Sequence, residues 1–135
     1  LRVAGRFDAC FKLNAEAVTA LTPYLSKNSA PLLEGFVMAD YKTGSVYEAK
    51  MTAQLAIYKQ GLIETKGIDC ASGLIFNIER EKPNKLVIYN FSSEKMQRAL
   101  EGAKHAIKTW EYFDAPKWYH NQFKTLTAQI EQTGE

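Results

Sequence analysis

Two aspartates and a lysine are the side chains in this sequence best suited to do chemistry. They are Asp8, in Gly5-Arg6-Phe7-Asp8, and Asp40 with Lys42, in Asp40-Tyr41-Lys42. Gln54 and Tyr58, four residues apart, follow them. Hydrolysis of a phosphodiester requires neutralising charge on the non-bridging oxygens, activating a water and stabilising an alkoxide leaving group. A hard divalent cation held by carboxylates assists all three. Mg²⁺ takes oxygen ligands and keeps several waters, so two carboxylates and one main-chain carbonyl are enough from the protein. Asp8 and Asp40 can supply the carboxylates, and the carbonyl of Tyr41 the third oxygen. On a strand, the Asp-x-Lys spacing puts Asp40 and Lys42 on one face about 6.5–7 Å apart. That is close enough for Lys42 to reach an attacking water or the scissile phosphate. On a helix the two side chains would diverge.

The elements that must position these groups follow from hydrophobic periodicity. Val3 to Lys12 alternates, with Val3, Gly5, Phe7, Ala9 and Phe11 on one face and Arg6, Asp8, Cys10 and Lys12 on the other, which predicts a half-buried strand with Asp8 on its polar side. The pattern degrades between Asn14 and Gly35. Asn14 can cap a short helix through Leu21, Pro23 would end it, and Ser26-Lys27-Asn28-Ser29 reads as loop. We take 14–35 as an insertion, expected either to cover the substrate as a flap or to decorate the sheet edge. Phe36 to Lys42 is strand again, with Met38, Asp40 and Lys42 on one side. Glu48 to Gln60 predicts a helix stopped by Gly61, with Met51, Leu55, Tyr58 and Leu62 as its apolar stripe. Cys70–Glu79 and Leu86–Phe91 read as strands joined by a Pro-Asn hairpin turn. Ser93 would cap a helix to about Phe113, with Met96, Ala99, Leu100, Ala103, Ile107 and Trp110 on its apolar face. Pro116 would open a last helix over 116–132, with Tyr119, Phe123, Leu126 and Ile130 buried. This order describes one α/β domain over 1–135, a mixed central sheet flanked by helices.

Asp8 on a strand, Asp40-Tyr41-Lys42 on the next core strand and Gln54 with Tyr58 on the following helix, in that order, resemble the RecB-type branch of the PD-(D/E)XK nuclease superfamily. The resemblance runs by motif from Val3 to about Tyr58, and in general layout from Cys70 to Phe113. It implies a restriction-endonuclease-like core and a divalent-metal-dependent DNA nuclease, an exonuclease of recombination, repair or phage DNA processing. It further implies Asp8, Asp40 and Lys42 as catalytic residues, with Mg²⁺ or Mn²⁺ held by Asp8, Asp40 and Tyr41. By the same resemblance Gln54 and Tyr58 position the site and the nucleic acid. The family also uses an acidic residue or His on a preceding helix. Here the chain opens at Leu1 on residues that read as strand interior, so the core is expected to lack its N-terminal helix within this sequence, with a segment missing upstream. Some relatives carry an iron-sulfur cluster on four cysteines. With Cys10 and Cys70 alone, no such cluster is expected.

Composition sets the outer bounds. The 135 residues, 46% hydrophobic and 24% charged with Gly 8 and Pro 4, suit one folded domain and exclude collagen-like, mucin-like and disordered chains. No stretch approaches the roughly 20 apolar residues of a membrane-spanning helix, so no membrane partner is expected. Two cysteines fit a reducing, cytoplasmic compartment. A net charge of +2 leaves no global nucleic-acid footprint, so any phosphate contact must be local. Arg6, Lys12 and Lys50 are candidates of lower rank for it. Read singly, Asp8 is a surface acid on an exposed strand, Asp40-Tyr41-Lys42 a solvated strand end, and Gln54 and Tyr58 an interfacial amide and a core aromatic. His105 and His120 lack metal-ligand spacing, and the cysteines read as small core residues. A catalytically silent nucleic-acid-binding or scaffolding module with the same fold is the alternative. A weaker one is a structural subunit, a homo-oligomer or part of a larger recombination complex, joined through the aromatics Trp110, Tyr112, Phe113, Trp118 and Tyr119.

Overall fold

Short runs rich in apolar and β-branched residues build four strands, and the computed structural model, which describes residues 6–113, joins them into one sheet in sequence order. Strand β1 (Ala9–Leu13) runs antiparallel to β2 (Gly35–Lys42), with Ala9 opposite Ala39. Strand β3 (Ser72–Ile78) is parallel to β2, with Asp40 opposite Ile75 and Lys42 opposite Asn77. A parallel pair needs a crossover, and helix α2 (Glu48–Lys66) supplies it. Strand β4 (Leu86–Ser92) returns antiparallel to β3. Helix α1 (Ala15–Leu21), a single 3₁₀ turn over Thr22–Tyr24 and helix α3 (Ser93–Phe113) complete a small α/β architecture, a four-stranded mixed sheet flanked by three helices. The chain divides into two units, Leu1–Glu101 and Gly102–Glu135. The sheet, α1, α2 and the first turns of α3 lie in the first. The described residues of the second continue α3 to Phe113. The expected residues 1–5 of the first strand, and the expected final helix with Trp118, Tyr119 and His120, lie outside the described residues. No helix among the described residues is long and apolar enough to cross a membrane.

The sheet buries both faces, and each has its own core. On one face Met38, Ile75 and Phe91 meet Leu55, Ala56 and Leu62 of α2 and Met96 and Leu100 of α3. On the other, Leu13, Val37, Ala39, Leu74 and Ile88 are covered by Leu32 and by Ala17, Val18 and Leu21 of α1. Burial on both faces removes the polar alternation that a half-solvated sheet would show. Gly73, opposite Met38 near the start of β3, lets the first layer close. A Cβ there would stand 2.9 Å from Met96 Sδ and 3.2 Å from Leu55 Cδ1.

Several boundaries differ from the sequence reading. Helix α2 continues through Gly61 to Lys66. One glycine inside a helix costs only about 1 kcal/mol, and the next turn buries Leu62. The stop is Gly67, at φ +66, whose N–H donates to the Ile63 carbonyl while the Ile68 N–H reaches that of Leu62. The cap of α3 is Ser92, whose Oγ accepts the Lys95 N–H at 3.1 Å, one residue before the expected Ser93. Phe7 packs with Cys10 against the first core, although strict alternation groups it with Ala9 and Phe11, because the β1 ladder begins only at Ala9.

The segment taken as an insertion runs along the sheet edge. After α1, Leu25 bridges Ile88 and the Ser26 N–H donates to the Ile88 carbonyl at 2.8 Å, so the segment covers the outer edge of β4. Asn90 fixes it further, donating from Nδ2 to the carbonyls of Ala30 (2.9 Å) and Pro31 (3.0 Å). An open strand edge is an aggregation liability, and this covering removes it. The helical part packs on the face opposite Met38 and Asp40, so this segment is not a flap over Asp40.

Gly73→Val is expected to destabilise the protein by about 1–3 kcal/mol through overpacking against Leu55 and Met96. Urea denaturation followed by circular dichroism checks this, and an unchanged midpoint would show that α2 and α3 do not close over β3.

Candidate active site

Strand β2 presents Met38, Asp40 and Lys42 on one face, and Met38 is in the core beneath α2. Asp40 is thus a carboxylate at the rim of an apolar layer, only 7% exposed. One position beyond the last β1–β2 pair, Ala9 with Ala39, the register brings Asp8 up to Asp40. Asp8 lies just outside the strand and its side chain is exposed. Its Oδ2 accepts the N–H of Tyr41 at 2.9 Å. This bond replaces the ladder bond that β1 would have made had it continued through Phe7.

The same bond fixes the direction of a further donor. The N–H and C=O of one strand residue point to the same side, so the Tyr41 carbonyl is directed to the Asp8 side of β2. The Phe36 and Lys42 carbonyls turn the other way, accepting from the Ala71 N–H and Asn77 Nδ2. Two carboxyl groups and one carbonyl therefore converge at the end of β1. The Lys42 ammonium joins them, with Nζ 2.7 Å from Asp40 Oδ2.

The two acids respond oppositely to this crowding. The Tyr41 N–H, followed by a hydrogen bond with Asp40, holds Asp8 below the usual carboxylate range, with smaller help from Lys42 and Arg6. Burial pushes Asp40 up, and the adjacent Asp8 adds to this against the opposing pull of Lys42. The two neighbouring carboxyls are thus driven apart, Asp8 down and Asp40 up. Among the described residues no group of three or more His, Cys, Asp or Glu side chains is arranged to hold a metal ion. The oxygen set at this site is accordingly Asp8, Asp40 and the Tyr41 carbonyl.

Helix α2 covers the same face. Gln54 Nε2 donates to Tyr58 Oη at 2.9 Å, so the two expected partners form one unit on adjacent turns. The Tyr58 ring lies 6.3 Å from that of Phe7, inclined by 52°, which places it beside the residue that precedes Asp8. The five side chains Asp8, Asp40, Lys42, Gln54 and Tyr58 thus belong to one face of the sheet and the helix over it. Tyr41 turns its ring to the other face, 5.8 Å from Phe76. Of the lower-ranked cations, Arg6 contributes charge at Asp8, whereas Lys12 sits 5.9 Å over the Phe36 ring and Lys50 is exposed on α2.

Two positioning residues escaped the sequence reading. Phe7 is one, since its contact with Tyr58 depends on where the ladder begins. The other is Asn77, buried in β3 beside Lys42, whose Nδ2 donates to the carbonyls of Gly44 (2.7 Å) and Lys42 (3.4 Å). It ties down the turn that follows Lys42, and the signal for it was an amide inside the apolar run Gly73–Ile78. Cys70 is unsuited to nucleophilic work. Burial, with Cys10 alongside, pushes the Cys70 thiol up to about 12.

Comparison of the chain with protein-family models, curated proteins and solved structures finds no match.

The opposed shifts give a pH signature. Asp40 holds its proton more tightly in the folded chain, so the stability it contributes is complete below its ordinary 3.8 and is lost as pH rises through the raised value. Asp8 is lowered, and its contribution persists above 3.8 and is lost only as pH falls through the lowered value. Asp40→Asn is therefore expected to flatten the decline of unfolding free energy as pH rises above the ordinary carboxylate value of 3.8. Denaturant titrations across that range check it, and parallel curves for variant and wild type would contradict the carboxyl contact.

Proposed function

We propose that the chain is a divalent-metal-dependent nuclease domain that hydrolyses phosphodiester bonds of DNA, built on a restriction-endonuclease-like core of the PD-(D/E)XK, RecB-type kind. The observation that carries this reading is the meeting of the Asp8 and Asp40 carboxyls with the Lys42 ammonium on one sheet face. Surface ion pairs are common and worth little. Two acids pressed together beside a buried core are costly unless something rewards them, and perturbed acids of this kind concentrate at functional sites. Exonuclease action in recombination, repair or phage DNA processing rests on the motif resemblance alone.

The residues present fit a hard cation. A pair of neighbouring carboxyls with a main-chain carbonyl beside them suits Mg²⁺ or Mn²⁺, which keep further sites for water and phosphate. Asp8, Asp40 and the Tyr41 carbonyl would hold the ion. When bound, such an ion neutralises phosphate charge and eases ionisation of water. Asp40 keeps the Lys42 ammonium at the rim of the site, where it can meet charge that develops on a phosphate oxygen. Because the Tyr58 oxygen accepts from Gln54, its own hydrogen is free to donate to a phosphate. Phe7 and Tyr58 of α2 pack together beside Asp8 and bound one side of the site.

A second reading is a silent nucleic-acid-binding or scaffolding module with this fold. The observation that favours it is the short donor set, two carboxylates and one carbonyl, with Lys42 already paired to one of them.

Three measurements separate the readings. End-labelled single- and double-stranded DNA incubated with Mg²⁺ or Mn²⁺ should be degraded by the wild type and left intact by Asp40→Ala. Equal degradation by both would refute the assignment. Lys42→Ala should lower kcat by on the order of 10²–10⁴-fold, as loss of a positioned acid-base or charge-stabilising group does, and an unaltered kcat would remove Lys42 from the site. The ion should also raise the unfolding midpoint, by about 2.7 kcal/mol of stability at a hundredfold excess over Kd. Protons compete for the same oxygens, so this rise should be larger at pH 8 than at pH 5 and absent in Asp8→Asn. A midpoint indifferent to Mg²⁺ and Mn²⁺ would favour the silent module.

A further inference from the structure

Away from the carboxyl pair, a groove of about 410 Å³ opens between the segment that covers the β4 edge and the β3–β4 hairpin. Tyr24 and Lys27 stand on one wall, Lys82 and Lys85 on the other, and Asn77 and Tyr89 at its base. Glu79 is the one acid that lines it. Lys42, Lys59, Lys95 and Arg98 each have an acidic partner, whereas Lys27, Lys82 and Lys85 have none among the described residues. A chain with a net charge of only +2 thus gathers three unneutralised ammonium groups around one concavity. Like charges so placed repel, and an anion between them relieves that repulsion.

The walls are held by backbone. The bridge from Leu25 to Ile88 and the Ser26 N–H bond to the Ile88 carbonyl fix the first. The turn bonds from the Lys82 N–H to the Glu79 carbonyl (3.0 Å) and from the Lys85 N–H to the Lys82 carbonyl (3.1 Å) fix the second. At the base, Asn77 is the same side chain that holds the turn after Lys42. The groove therefore ends one side chain away from the candidate active site.

We propose that this groove binds the backbone of a single nucleic-acid strand and leads it to Asp40 and Lys42, a reading that rests on the nuclease assignment above. The volume lies in the range of about 300–1,000 Å³ that holds one small organic ligand, which suits one or two nucleotide units of a single strand. Lysines on both walls match the phosphates, and Tyr24 and Tyr89 add aromatic side chains to the lining, the combination by which single strands are bound without sequence preference. The segment 22–27 forms one wall of a substrate track and is separate from the chemistry.

Fluorescence anisotropy of labelled oligothymidylate tests this, with EDTA present so that binding is read apart from cleavage. The triple variant Lys27→Glu, Lys82→Glu, Lys85→Glu should bind at least tenfold more weakly. Its dependence of log K on log salt should be shallower by about 2, since each lost phosphate contact on a single strand removes about 0.7. The matching triple change to Arg should keep the affinity, and circular dichroism on both variants controls for folding. Unchanged affinity and salt slope in the Glu variant would overturn the groove, as would displacement of the oligonucleotide by polyglutamate as readily as by unlabelled oligothymidylate. Lysine-dependent binding by a protein that cleaves nothing when Mg²⁺ or Mn²⁺ is supplied would uphold the groove and sink the nuclease reading alone.

Discussion

The hydrogen bond from the Tyr41 N–H to the Asp8 carboxylate is the interaction on which the site depends. It stands where a strand-to-strand bond would otherwise be, so it completes the sheet and aims a side chain at once. Without it, Asp8 would be an exposed acid on a chain segment leaving the ladder, free to turn into water. With it, the carboxyl is held against Asp40, and the cost of that crowding falls on the more buried of the two. The directions of the neighbouring carbonyls follow from the same register, which is why one bond organises three oxygen donors.

Around that bond the fold supplies two independent cores. The layer beneath α2 and α3 carries Asp40 and Lys42 at its rim and sets how the helix stands over them. The layer beneath α1 and the long β1–β2 connection is farther from the chemistry. That connection also covers the β4 edge and lends a wall to the lysine groove. One stretch of chain thus serves packing, edge protection and a charged surface. The division explains how the acid pair can be crowded without unsettling the whole sheet, since each face is closed by its own apolar residues.

Much of this was legible in the sequence because it depends on period and spacing. The alternation at Met38, Asp40 and Lys42 placed both polar groups on one face, and the i, i+4 relation of Gln54 and Tyr58 placed both on one helical surface. What escaped depends on where ladders start and stop. Phe7 changes face because pairing begins at Ala9, and Ser92 caps α3 because the β4 ladder ends there. Gly61 and Gly67 look alike in sequence, and the burial of Leu62 between them carries the helix on to the second. The degraded pattern of 14–35 concealed a structural layer because its hydrogen bonds run to β4, some sixty residues away.

The bare backbone at Gly73 acts as a spacer of zero thickness between sheet and helices. Leu55, against that spot, belongs to the same helix as Gln54 and Tyr58, so the clearance at β3 sets the height of those two side chains above the acids. The open space over the acid pair is therefore fixed at a residue that belongs to neither strand end carrying it. A lineage could alter that space by changing the gap, while every acid and base stayed in place.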